Sequence, residues 1–292
     1  MQYLMTGIEL HLDKGFGITA DSYYKSAEHL FTNHFEHYDV TQQAEMPRNF
    51  MYRHAIELYL KSLIIIFHKK LKIDYGNVSF DSDEPKVLTD GQWIKLYKSH
   101  FIDKLYGYWL NGLLLPNIER LKESAPKGDW QETAKITSLF EIISKYDQDS
   151  SYFRYPITKN SSLDSKKYTM QKFKSTDNME QFVKEIQEPK SETKKGSFTM
   201  LLVDDNDNIV EAFKQTDNVL SDVRDALREV ALYLNCIHIM TRITLCGGMW
   251  WQNFEGYNET QKRPATNQLR GVSFASVAAS AICGACLLPA AA

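Results

Sequence analysis

The chain has 292 residues, of which 43% are hydrophobic, 12% aromatic and 24% charged; this is near the globular average and excludes wholesale disorder. That length suits one large domain or a core with a substantial insertion. A net charge of −3 and a pI near 6.3 argue against a protein that coats nucleic acid by bulk electrostatics, although they are compatible with a local basic groove.

The first fifteen residues mix acidic and basic side chains and lack an apolar run of secretory length, so no signal peptide is expected. Residues 17–36 then carry Tyr23, Ala27, Leu30, Phe31 and Phe35 at spacings of three and four, which predicts a first helix with Asp21 as a candidate N-cap. A second helix is predicted over about 46–69. Pro47 suits its first turn, and Lys69 and Lys70 complement the dipole at its end. From Ile56 to Phe67 it is apolar on nearly every side, so it needs neighbours all round.

Residues 72–92 hold two Gly, one Pro and many acidic positions and read as a loop. Helical spacing resumes from Trp93 to Glu123, with a break expected around Asn111, Gly112 and Pro116. A further amphipathic helix over 129–148 has Asp129 and Glu132 placed as a capping box and Ile136, Leu139, Phe140 and Ile143 as its buried stripe. Residues 157–197 are rich in Lys, Ser, Thr and Asn and read as a polar insertion or arm. Residues 198–214 read as two strands about a polar turn, a β-hairpin.

Asp217 opens a closing helix over 217–248. Its Leu220, Val223, Leu227, Val230, Ala231, Leu234 and Ile237 keep the helical period, and Gly247 and Gly248 end it. Residues 249–292 form a tail whose last 22 residues carry no charge. That run has the length of a membrane anchor but thin hydrophobicity, interrupted by Pro289, so a disordered tail of extraneous or out-of-frame origin is favoured and a membrane partner is not expected. The expected class is mainly α: a helical bundle with residues 1–156 as the first part of its core and a small β-hairpin insertion.

Four cysteines, at 236, 246, 283 and 286, crowd into the last fifth of the chain; this cannot staple the fold and points to the cytoplasm. Cys283 and Cys286 have CxxC spacing but lack a second pair for a zinc site. The acidic run from Asp204 to Asn208 begins like a calcium loop. Ile209 stands where such a loop needs Gly, and Gln215 where it needs Glu, so a hairpin turn is the better account. Gly15 and Gly17 precede a helix, where amides can meet phosphate, but without a preceding strand they read as a loop junction. No metal and no cofactor is expected.

Arg48 and His54 stand six residues apart on the second helix. An imidazole and a guanidinium held together suit metal-free RNA cleavage, with His54 exchanging protons and Arg48 neutralising phosphorane charge. On spacing alone, a core histidine and a surface arginine are the better account. Arg53, Glu57 and Lys61, spaced four apart, form a charged line that could meet solvent, a polar cleft or a nucleotide.

YRHAIELYLKSLIIIF at 52–67, KSHFIDKLYGYW at 98–109, PNIERL at 116–121 and DQDSSYFRYP at 147–156 resemble segments of a group of bacterial HEPN-like proteins, the helical domains named for nucleotide binding in higher eukaryotes and prokaryotes. The resemblance runs from about 20 to 156, with the closing helix completing the bundle. It implies an up-and-down helical bundle that dimerises and, in active members, a metal-independent endoribonuclease with Arg and His meeting across the dimer. It also implies a toxin or effector acting on RNA in antiphage or abortive-infection defence, with an antitoxin or other defence-system partner. The alternative it leaves open is a catalytically inactive module recognising RNA, a nucleotide or a partner protein, to which Lys166, Lys167, Lys172 and Lys174 of the arm would contribute. Carried over by motif, Arg48 and His54 are the catalytic pair, and Arg53, Glu57, Lys61, His100, Arg154 and Tyr155 are the binding or supporting residues. Arg154 is open to two readings, a clamp on helix-end carbonyls near Asp147 and Asp149 or a phosphate ligand.

Overall fold

The computed structural model describes Gly7 and residues 11–32, 45–130, 134–168, 170–172, 199–206, 209–215 and 220–246. The long second helix, α2 (Glu45–Leu71), is the axis of the molecule, and every residue from Ala55 to His68 is buried. A helix apolar on all sides has no stable surface position, and here its neighbours cover it: α1 (Phe16–Thr32), α7 (Ser221–Leu245), α3 (Ile102–Gly107) and the π-helical turns Tyr108–Leu114 that continue α3. Gly17, Ala20 and Ala27 face inward on α1, and their small side chains let that helix lie close to α2.

The structure starts α1 at Phe16. The capping group is Asp13, whose carboxylate accepts from the amides of Gly15 (3.3 Å) and Gly17 (2.9 Å) across a turn in which Lys14 and Gly15 have positive φ. Asp21, expected as the cap, lies within the helix and accepts from Tyr59 Oη at 2.7 Å and Asn235 Nδ2 at 3.2 Å. The expected stripe of the closing helix is buried from Leu220 to Ile237, with Leu220 itself in left-handed conformation as the N-cap of α7. On α5 (Ala134–Tyr146), Ile136, Phe140 and Ile143 are buried, Leu139 is partly so, and the helix packs on α7. Phe35, Glu132, Asp217, Gly247, Gly248 and the 249–292 tail lie outside the described residues, as do Cys283 and Cys286.

Two regions differ from the expected outline. The supposed 72–92 loop contains strand β1 (Lys86–Thr89), which pairs antiparallel with β2 (Gln92–Lys95). Asp90 and Gly91 form the two-residue turn, both at positive φ, as the primed hairpin turn demands. Trp93, read as helical, lies in that hairpin. The hairpin at 198–214 is present as β4 (Thr199–Val203) and β5 (Ile209–Gln215), and β3 (Met170–Lys172) of the polar arm pairs with β5 to give the order β3-β5-β4. The helix breaks where expected, around Asn111 and Gly112, by taking π-helical turns there. It re-forms after Pro116 as α4 (Ile118–Ser124). The protein is thus mainly α-helical with two small antiparallel sheets, and no helix among the described residues is long and apolar enough to cross a membrane.

Candidate functional site

A stripe at i, i+4 and i+8 on α2 places Arg53, Glu57 and Lys61 in a line, and all three are buried. Arg53 Nη1 donates to Glu57 Oε2 at 2.5 Å, and Lys61 Nζ donates to Glu57 Oε1 at 2.7 Å. Two further segments close on this line. Arg53 Nε donates to Asp147 Oδ2 at 2.9 Å, and Arg53 Nη2 donates to the carbonyl of His100. The His100 ring returns to the same carboxylate, with Nδ1 3.0 Å from Glu57 Oε1. Two cations and two carboxylates therefore neutralise one another out of water, the arrangement in which a buried charge is tolerated. Burial alone would raise the Glu57 carboxyl, but Lys61 and Arg53 more than reverse that effect and hold it at about 2.

The network opens to solvent through His100, whose side chain is 48% exposed while that of Glu57 is 2% exposed. An ionised carboxylate accepting at Nδ1 fixes the ring orientation and leaves Nε2 as the group that can meet a ligand, which is how a proton-transfer imidazole is positioned.

The segment from Asp147 to Pro156 is tied to this network through Asp147. Asp147 ends α5 and uses both carboxylate oxygens, one on Arg53 and the other on the Tyr152 amide at 2.9 Å. Ser150 turns the chain at positive φ. Beyond the short helix α6 (Ser161–Asp164), buried Lys167 ties down the end of the segment, donating to the Tyr155 carbonyl at 2.8 Å and to Asp164 at 2.6 Å, with its ammonium 4.2 Å from the Tyr152 ring centroid. Arg154 and Tyr155 are left exposed. Arg154 donates to Ser150 Oγ at 3.3 Å rather than to a helix-end carbonyl, and its guanidinium lies 5.8 Å from the Phe50 ring.

Phe50 stacks on His54 at 5.7 Å, and Tyr23 meets His54 edge-on at 4.5 Å. His54 is half-buried, with a buried Nδ1 that has no hydrogen-bond partner. Burial pushes its pKa down. The nearby Glu57 works against that shift, and Arg53, Lys61 and Arg154 add to it. His54, Arg154 and the buried network thus share one electrostatic neighbourhood. Arg48 lies elsewhere. Six residues along a helix turn it about 120° away from His54, and its guanidinium pairs with Glu45 and sits 5.2 Å from the Phe31 ring.

A second polar cluster joins α1, α2 and α7. Ser62 Oγ donates to Asp13 Oδ2 at 2.6 Å and lies 2.9 Å from His238 Nε2, with Arg242 Nη1 3.5 Å from the carboxylate. Burial would raise the Asp13 carboxyl, but His238 and Ser62 draw it far below the usual range. Asp13, Ser62 and His238 are all sealed from solvent. Gly17 is required here, because a Cβ would stand 2.4 Å from the His238 ring. Gly17 thus serves close packing, and Gly15 the turn at positive φ.

Sequence reasoning singled out Arg53, Glu57, Lys61 and His100, which the structure brings together. It also singled out Arg48 and His54, which it does not. Asp147 was missed as a site residue because nothing local marks its partner 94 positions away; the helix end before a Ser-rich turn was the one available signal. Of the four arm lysines, Lys167 is buried, Lys172 pairs with Glu211, Lys166 lies 5.7 Å from the Tyr146 ring, and Lys174 lies outside the described residues. Among the described residues no group of His, Cys, Asp or Glu is placed to hold a metal ion.

Fold and site together define a mainly α-helical protein whose axial helix carries a buried ion network with one imidazole at its open edge. No protein-family model, curated protein or solved structure matches the chain.

Proposed function

We propose that this chain is an RNA-directed protein of the HEPN type that cleaves RNA without a metal, and that its working groups are His100, His54 and Arg154. The observation that carries this reading is the Glu57–His100 pair. A carboxylate held ionised by Arg53 and Lys61 orients an imidazole whose other face meets solvent.

In this scheme the uncharged His54 ring takes the proton of a ribose 2′-hydroxyl. The 2′-oxygen bonds to the adjacent phosphorus, and the bond from phosphorus to the 5′-oxygen breaks. His100, oriented by Glu57, gives a proton to that 5′-oxygen, leaving a 2′,3′-cyclic phosphate and a 5′-hydroxyl. The Arg154 guanidinium neutralises charge on the phosphorane. Arg48 and His54, paired by motif, are separated in this scheme because they face different sides of α2. The same reading carries the expectation of a homodimer and of an effector role in bacterial defence.

The test is incubation of the purified protein with end-labelled single-stranded RNA in EDTA. The wild type is expected to cleave, and His100→Gln is expected to lose about 10²–10⁴-fold, the usual contribution of a general acid or base. Absence of cleavage, or an unchanged rate in His100→Gln, would sink the catalytic reading. The charge balance of the network favours one other reading, a module that binds RNA without cutting it. That reading expects salt-dependent binding with intact product.

A further inference from the structure

We infer that the start of α2, beside the start of α7, forms a site for a phosphate-class oxyanion, built by Arg48 and Asn49 and separate from the His100 opening. About 13 Å of helix rise separates Arg48 from Glu57.

Glu45, Arg48, Asn49 and Tyr52 occupy one stripe of α2, at i, i+3, i+4 and i+7, facing the end of α1 and the start of α7. Asn49 is fully buried, and neither its amide oxygen nor its amide nitrogen has a hydrogen-bond partner. Arg48 is 7% exposed, and its Nε is likewise buried without a partner. Two donors on adjacent residues are therefore desolvated and unused, which folding tolerates poorly unless something accepts from them.

The surroundings select an anion. The Phe31 ring holds the guanidinium of Arg48 at 5.2 Å and that of Arg228 at 4.1 Å, while Arg224 reaches Glu45 at 3.7 Å. Glu28, Glu45 and Asp225 balance those three cations: Arg228 donates to Glu28 at 2.9 Å, and Arg224 to Asp225 at 2.8 Å. The positive surplus comes from the two long helices that begin here. The N-cap of α7, Leu220, has no side chain that can satisfy its amides. An oxyanion seated against α2 accepts from Asn49 Nδ2 and Arg48 Nε, the donors the fold leaves over, and from the amides of the first turn.

Inorganic phosphate is the probe, titrated calorimetrically into the full chain at low millimolar concentration and constant ionic strength. One saturable site per chain is expected, weakened at least tenfold in Asn49→Leu, which keeps size and removes the amide. An independent weakening is expected in Arg48→Met, so one unfolded variant does not end the test. Competition distinguishes the sources. Displacement by a 5′-phosphorylated oligoribonucleotide but not its 5′-hydroxyl form assigns the site to an RNA end, and displacement by mononucleotides alone assigns it to a small phosphate ester; either upholds the site. Absence of saturable phosphate binding to the wild type, or equal affinity in both folded variants, would overturn it.

Discussion

Two polar clusters lie along the same buried helix and differ in one respect that decides what each can do. At Ser62, Asp13 and His238 are sealed by α1 and α7, and their hydrogen bonds hold three helices together. At Glu57, an equally buried set of charges ends in His100, which solvent reaches. The sealed cluster contains serine, histidine and aspartate and yet is architecture. The open one has the form of an internal salt bridge and yet presents an imidazole to solvent. Residue type alone does not separate the two. Access and hydrogen-bond order do.

The largest effect that would sharpen this contrast is expected at the hub of the open cluster. Arg53→Ala leaves Glu57 without one counterion and Asp147 without the one it pairs with, so chemical denaturation should show a loss of about 3–5 kcal/mol, the cost of breaking a buried pair. A loss under about 1 kcal/mol, the range of exposed pairs, would mean that water reaches the network.

In the sealed cluster, Gly17→Ala forces a methyl against the His238 ring and should cost about 1–3 kcal/mol through displacement of α7. Each cluster carries a carboxylate held down by its partners, so each responds to acid in the same direction. Glu57 titrates near 2 in the fold against 4.5 for an ordinary glutamate, so the unfolded state binds its proton first. The stability Glu57 contributes is complete above pH 4.5 and is lost as pH falls from 4.5 towards 2. Stability measured across that interval should fall less steeply in Glu57→Gln. Buried His68, pushed down to about 4 from 6.5, adds a loss that begins below pH 6.5. The smallest effect on stability belongs to His100→Gln: a half-exposed partner contributes at most about 1 kcal/mol.

Much of the helical frame was legible in the sequence because period and burial coincide there. The run from Ile56 to Phe67 has no polar face to offer solvent, and the α7 stripe keeps its period from Leu220 to Ile237. The β1–β2 hairpin was not, because four-residue strands containing Lys, Thr and Gln resemble loop, and its Asp90–Gly91 turn was hidden among other acidic and Gly positions. Charge spacing exposed the Arg53, Glu57 and Lys61 line, but it could not say whether the line faced water; Asp147 and the His100 loop, distant in sequence, decide that. Motif spacing pairs Arg48 with His54 by counting residues, whereas a helix turns about 100° with each one, so within one chain the two stand about 120° apart around α2.

The most direct test of the account is His100→Gln, compared with wild type in two assays on one preparation: thermal denaturation and RNA cleavage in EDTA. The account predicts a melting temperature within a few degrees of wild type and cleavage reduced at least about a hundredfold. A variant that cleaves at the wild-type rate, or loses activity only in step with its fold, would contradict it.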